Sequence, residues 1–258
     1  SFARALGYAV DNQCGVLSMS MGGLPSDAWR EAIDRAYLSG LCMVTAAGNN
    51  FAGLPTRNVV YPARYSRVIC ACGVMANGNP YAFLQNRAME GNFGPDKCMR
   101  HAMSAYSPNI PWAVYGCPTI VRRNGGGTSS ATPQIAAAAA LWFEKYKNEL
   151  PRDWRRVEAV RKALFTTAAK GNANQVGNGT VRAFDALAVR PDLTLKQTKS
   201  DNDAFAFLRV ITGLGIVEPS PRERMFNLEI SQRWLLNAEL QKIVPDPDDT
   251  AELSSANL

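Results

Sequence analysis

The 258-residue sequence predicts an α/β fold in three layers, a mostly parallel sheet with helices on both faces, followed by a small α+β appendage. Three observations carry this reading. Short apolar runs without polar alternation, VLSMSM, LCMVTA and RVICACGV, have the pattern of strands buried on both faces. An amphipathic segment of helical length separates the first two, as a parallel crossover requires. A glycine-rich turn then opens onto an alanine-rich run, NGGGTSSATPQIAAAAAL, which makes a helix slim enough to lie close to a sheet.

Taken in order, Phe2 to Val10 has helical spacing and is closed by the polar turn Asp11-Asn12-Gln13. Val16 to Met21 reads as a strand ending at Gly22-Gly23. Ser26 or Asp27 caps a helix whose apolar face is Trp29, Ile33, Ala36 and Tyr37, and Gly40 stops it. Further strands are expected at LCMVTAAGNN and at Arg67 to Val74. Ligands collect at the carboxyl ends of parallel strands, which here are Ser20 to Gly23 and Ala46 to Asn49. From Phe83 to Gly127 no period persists, apart from strands expected at Trp112 to Tyr115 and Thr119 to Arg122; long irregular segments are usually functional loops or insertions. Pro133 belongs in the first turn of a helix, which places Ser129 at or just before a helix N-terminus, where developing negative charge is favoured.

Charge divides the chain. Residues 1–190 hold 21 Lys and Arg against 11 Asp and Glu, whereas residues 191–258 hold 7 against 11, and the domain boundary is expected there. The basic residues Arg64, Arg67, Arg122, Arg123, Arg152, Arg155 and Arg156 are scattered without an aromatic platform, so they read as a solvated surface and not as a nucleic-acid site. No window reaches the about 18 consecutive apolar residues of a membrane span. The first residues, SFARALGYAVDNQ, lack the three-part pattern of a signal peptide. Of six cysteines, Cys14, Cys42, Cys70 and Cys72 lie in or beside apolar strands and read as packed thiols. Cys70-Ala71-Cys72 points both sulfurs to one sheet face and lacks the spacing of zinc ligands.

The segments VLSMSMGG, VTAAGNN, YPARYSRVICACGV and GTSSATPQIAAAAAL, in that order, resemble the substrate-strand, oxyanion, post-oxyanion and nucleophile segments of the subtilisin-like serine peptidases. The resemblance covers roughly residues 1–190, and its G-T-S-x-A-x-P element, Gly127 to Pro133, is specific. It implies that Ser129 is the nucleophile and that Asn49, with the Ser129 backbone N–H, receives the oxyanion. It implies that Ser20, Met21, Gly22 and Gly23 pair with the substrate backbone as an added strand. The primary pocket would lie between that segment and Ala46, Ala47, Gly48 and Asn49, with Val60 at its base and Thr128 beside the nucleophile. VRKALFTTAAK and NGTVRAFDALAV resemble the closing helices, with Gly179 and Ala183 in the linking turn. A peptide or protein substrate is implied, and a secreted or periplasmic setting is favoured over an intracellular one. No cofactor is required, although some members hold Ca2+ or Na+ on the backbone carbonyls matching Ala63, Tyr65 and Val68.

A serine nucleophile needs a base and a carboxylate that orients it. In this family both precede the strand that opens this chain, and the sequence has a single histidine, His101, in the run KCMRHAM. That run lacks the H-G-T-H surroundings of the family's base, so His101 reads as a surface or structural residue. The triad Asp and His are therefore expected upstream of Ser1, in the missing N-terminal segment of the same domain, and the chain alone is expected to have no turnover. The alternative is a non-catalytic relative that binds peptides or serves as a scaffold. Residues 83–103 read as an insertion. Within 191–258, a strand is expected at Met225 to Ile230, a helix capped by Ser231 and carrying Trp234, Leu235 and Ala238, and a frayed stretch from Pro245 to Asp249.

Overall fold

The computed structural model describes residues 2–23, 26–50, 58–81 and 90–201. The expectations for Met225 to Asp249 lie outside these residues, as does part of the 83–103 segment.

Helix α1 (Phe2–Asp11) leads into strand β1 (Val16–Met19), helix α2 (Asp27–Leu38) and strand β2 (Cys42–Ala46). Ser26 caps α2, its Oγ accepting from the Trp29 N–H at 3.2 Å, and Gly40 leaves the helix at φ +81°. The helix buries Ala32, Ile33, Ala36 and Tyr37, while Trp29 stacks on Phe2 with ring centroids 4.3 Å apart. Next come β3 (Asn49–Asn50), β4 (Ile69–Val74), β5 (Glu90–Gly91), α3 (Asp96–Met99) and β6 (Ala102–Tyr106). A hairpin of β7 (Ile110–Val114) and β8 (Cys117–Gly125) precedes the long helix α4 (Thr128–Lys145). Helices α5 (Trp154–Thr167), α6 (Ala173–Val176) and α7 (Ala183–Leu187) close the described body, with Gly179 at φ +120° ahead of α7.

The main sheet has the order β1-β2-β4-β6, and every neighbouring pair is parallel. Strand β6 corrects the expectation of an irregular stretch: Ala102 to Tyr106 pairs with β4 from Cys70 to Val74. Its small residues carry little apolar signal, and its Ser104 is buried because Oγ donates to the Val176 carbonyl at 2.9 Å. Period-2 alternation sorts the strands into two faces. Ile69, Ala71, Met103 and Ala105 join the large core, whereas Cys70, Cys72 and Ala102 join a smaller one with Cys98 and Met99. Both sulfurs of Cys70-Ala71-Cys72 therefore share a face, as expected. Helix α4 runs against β1, β2, β4 and β6, and its buried Ala131, Ala136, Ala138 and Ala139 permit that close approach. Each large side chain buried in this core, such as Ile33, Leu41 and Met43, contributes about 1.5–3 kcal/mol.

Two further expectations change. Helix α4 starts at Thr128, so Pro133 lies inside the helix and not in its first turn. The ring nitrogen has no hydrogen to give the Ser129 carbonyl one turn back; the Ser20 hydroxyl supplies it instead, at 2.8 Å. Arg64 and Arg67, expected in solvent, are buried. Arg67 binds Asp34 at 2.8 Å, donates from Nε to the Thr198 carbonyl at 3.1 Å and lies over the Tyr37 ring. These contacts belong to a strap. Residues 191–201, neither helix nor strand, run along α2 and α5, where the Thr198 Oγ1 donates to Glu158 at 2.8 Å, Ser200 binds Asp34, and Asp201 accepts from the Ser66 N–H at 2.8 Å. Among the described residues no helix is long and apolar enough to cross a membrane.

Candidate active site

The site grows from the junction of two strand ends with the start of α4. Gly127, at φ +73°, turns the chain from β8 into the helix, a conformation that disfavours any side chain. Thr128 follows, fully buried, and staples the helix to the end of β2. Its Oγ1 accepts from the Gly48 N–H at 3.1 Å and shares its proton between the Gly48 carbonyl at 3.0 Å and Asn49 Oδ1 at 3.2 Å. Its own N–H donates to Asn49 Oδ1 at 2.8 Å.

This staple sorts the donors. The Thr128 amide is spent on Asn49 and the Ser130 amide on the Gly127 carbonyl at 3.0 Å, so the Ser129 amide is left without a partner among the described residues. With Oδ1 of Asn49 engaged, its Nδ2 group is likewise the uncommitted end of that side chain. Two N–H donors thus stand at the N-terminus of an 18-residue helix beside the half-buried Ser129, an arrangement that stabilises developing negative charge.

Ser20, Met21 and Gly22 are exposed at the end of β1, and Gly23 forms an antiparallel bridge with Tyr61, its N–H donating at 2.7 Å. Val60 is wedged between the two strand ends. A Cβ on Gly22 would lie 2.7 Å from Val60 Cγ2, and one on Gly48 would lie 3.0 Å from the same methyl. The glycines are therefore required by Val60 as well as by any ligand that approaches them. Ala46 and Ala47 are buried behind this wedge, with the Val60 N–H donating to the Ala47 carbonyl at 2.9 Å. The structure brings together Ser129, Asn49, Thr128, Ser20 to Gly23, Ala46 to Gly48 and Val60 at one end of the sheet. The sequence reading missed one participant, Asn92. Its N–H donates to the Gly48 carbonyl at 3.0 Å and its Nδ2 to the Asn58 carbonyl at 2.8 Å, which fixes the Gly48-Asn49 loop from behind.

The "Subtilase family" model matches residues 1–184. The chain belongs to the subtilase family. Curated relatives include subtilisin DY of Bacillus licheniformis, 33% identical over 177 residues, covering 67% of this chain and 57% of that protein. Alkaline elastase YaB of Bacillus sp. (strain YaB) is 33% identical over 187 residues, covering 70% of this chain and 42% of its own. This subtilase thus spans roughly half the length of the curated relatives it matches. Solved structures with the same fold include the self-cleaved protease domain of PatA, at a TM-score of 0.59 and 23% identity, over 72% of this chain and 65% of that one. The PatG macrocyclase in complex with peptide matches at a TM-score of 0.59 and 21% identity, over 75% of this chain and 55% of that one.

His101 stands apart from this site. It is buried, its Nε2 lies 3.0 Å from the Ala63 carbonyl, and burial, with Arg161 next, pushes its pKa down to about 3. A carbonyl only accepts, so Nε2 carries the proton of a neutral ring. The ring is thus buried and held by a main-chain carbonyl. Of the carbonyls matched to a family cation site, that of Ala63 lies against His101 Nε2, and that of Tyr65 accepts from the Val68 N–H at 3.0 Å. Buried Arg64 sits between them in sequence, its Nη1 donating to the Val59 carbonyl at 3.3 Å.

Proposed function

We propose that this chain is the nucleophile-bearing portion of a subtilisin-like serine endopeptidase that hydrolyses peptides or proteins. The observation that carries the proposal is the 2.8 Å bond from the Thr128 amide to Asn49 Oδ1, because it leaves Asn49 Nδ2 and the Ser129 N–H as paired donors. In this reading the Ser129 hydroxyl attacks the scissile carbonyl, and the carbonyl oxygen, as it takes up charge, is received by those two donors. The substrate backbone pairs along Ser20 to Gly23, and its side chain enters the pocket floored by Val60. A histidine, oriented by an aspartate, takes the serine proton and returns it to the leaving amine. Both come from the N-terminal part of the same domain, so residues 1–190 are part of a catalytic domain and residues 191–258 an extension of it. The buried, neutral His101 is held by Ala63 and does not serve as that base. A secreted or periplasmic setting accompanies this reading.

A fluorophosphonate probe tests it. Labelling of a form extended upstream, abolished by Ser129→Ala and weak in the 258-residue chain, is the expected result. Absence of labelling in both forms would make the protein a non-catalytic, peptide-binding relative. Robust hydrolysis by the 258-residue chain itself, lost in Ser129→Ala, would place the base within it.

A further inference from the structure

The turn from Tyr61 to Val68 lies between Val60 and β4, outside any strand, and Tyr61 meets Gly23 in a single bridge. Its far end is held by the strap. The Ser66 N–H donates to Asp201 Oδ2 at 2.8 Å, and the Ser66 hydroxyl shares its proton between that oxygen and the Lys199 carbonyl, each at 3.0 Å. Arg67 Nε donates to the Thr198 carbonyl at 3.1 Å. The strap is itself anchored, because the Thr198 N–H donates to the Tyr37 hydroxyl at 3.1 Å and its Oγ1 to Glu158 at 2.8 Å. Two rings carry the connection onward to the strand end. The Tyr65 hydroxyl donates to the carbonyl of Ser26, the cap of α2, at 3.2 Å, and the Tyr65 ring meets that of Tyr61 edge-on at 4.9 Å. Thr198, Lys199 and Asp201 all lie beyond residues 1–184, the span that the family model matches.

We propose that the strap sets the geometry of the substrate site: Thr198, Lys199 and Asp201 hold Ser66 and Arg67, and through the turn they fix both Val60 and the Tyr61 carbonyl that receives Gly23. The two walls of the site already touch. A Cβ on Gly22 would lie 2.7 Å from Val60 Cγ2, so a shift of the turn is felt at once by the segment from Ser20 to Gly23. Asp201 is thus a positioning residue, acting through Ser66 and touching no substrate itself. Its role in substrate binding rests on the peptidase reading, whereas the anchoring of the turn does not.

Asp201→Ala removes the acceptor of the Ser66 N–H, while Asp201→Asn keeps a side-chain oxygen there and loses only the charge. In the 258-residue chain, amide exchange at Ser66 and at Gly23 is expected to quicken about tenfold in Asp201→Ala, to return near wild type in Asp201→Asn, and to stay unchanged in β2 and β4. Quickening at Ser66 with Gly23 unmoved would confine the strap to its own anchoring and overturn the proposal. Equal quickening in β2 and β4 would do the same, by making the loss one of general stability. An Asp201→Asn chain as fast as Asp201→Ala would show that the charge, and not the bond to Ser66, is what counts. In a catalytically complete form, Asp201→Ala should raise KM about 3–10-fold with kcat and fluorophosphonate labelling of Ser129 near wild type, the pattern of lost binding without lost chemistry. Labelling with an unchanged KM would remove the strap from substrate binding. Absence of labelling in the wild type would remove the peptidase reading, and Gly23 exchange would still decide whether the strap fixes the turn.

Discussion

The hydroxyl of Ser20 donates to the main-chain carbonyl of Ser129 at 2.8 Å, across 109 residues of chain. The contact exists because Pro133 sits where a helix would offer an N–H to that carbonyl. It ties the exposed strand end at Ser20 to the first turn of α4, so the segment proposed to pair with substrate and the proposed nucleophile share one bond. Ser20→Ala is expected to cost about 0.5–1.5 kcal/mol by urea denaturation, at the lower end because the site is exposed. Pro133→Ala restores an N–H at the other side of the carbonyl, so the two substitutions should couple by about 0.5 kcal/mol or more in a double-mutant cycle. Strict additivity would mean the Ser129 carbonyl is satisfied by water.

This contact also marks a limit of sequence reading. Gly127, Thr128 and the alanine run announced a helix start, and the helix lies where they put it. Pro133 argued for a later start, and only a long-range hydroxyl overrides that argument. The strands β2 and β4 were legible because every residue in them is buried, which leaves an unbroken apolar run. Strand β6 was not, because Ala102, Ser104 and Ala105 are small and the strand is defined by its pairing with β4 and not by its own composition. Arg64 and Arg67 looked solvated for a similar reason: their partners, Val59, Asp34 and Thr198, are distant in sequence or neutral.

Asn49 has two jobs that can be separated. Its Oδ1 anchors Thr128, while its Nδ2 is the proposed oxyanion donor. In a catalytically complete form, Asn49→Ala is expected to lower kcat by roughly 10²–10³ with little change in KM, a range that is subtilisin's own for the loss of one such donor. Asn49→Asp keeps the acceptor but loses the donor, so its stability should stay near wild type while kcat falls at least as far. Loss of stability with kcat intact would assign Asn49 to structure alone.

Val60 fills the space between Gly22 and Gly48, so the proposed pocket, with Val60 at its base, should be short. Profiling against a peptide library is expected to show small to medium apolar residues before the scissile bond. Val60→Gly should admit Phe and Tyr. A wild-type preference for Phe or Tyr would remove Val60 from the pocket floor.

The strap from 191 to 201 is held by polar bonds more than by apolar burial. Arg67→Met would break the bond to the Thr198 carbonyl and leave Asp34, which is 19% exposed at its side chain, with a weaker partner in Arg30 at 3.7 Å. A loss of about 3 kcal/mol is expected, as for other half-broken buried pairs. Amide exchange at Thr198 should quicken before exchange in β2 or β4. Exchange that quickens everywhere at once would show that the strap unfolds only with the core.

The open side of the sheet sets the last expectation. Among the described residues β1 pairs only with β2, although Val16 and Leu17 are half-buried and belong to the margin of the core. On α4, which packs against β1, the exposed residues Pro133, Ala137, Ala140 and Leu141 recur at helical spacing and form an apolar row. A bare strand edge beside a row of small apolar residues suits a strand followed by a closely packed helix. In the proposed whole domain that unit carries the aspartate at its strand end and the histidine at its helix start, both directed to the end of the sheet where Ser129 stands. The upstream coding sequence should therefore contain, within roughly 100–150 residues, a strand ending in Asp and then an H-G-T-H-like element. In the extended form, amide exchange from Val16 to Met19 should slow relative to the 258-residue chain, because β1 gains a second partner. Upstream sequence without that Asp and His, or β1 exchange that the extension leaves unchanged, would separate this chain from the catalytic members of its family.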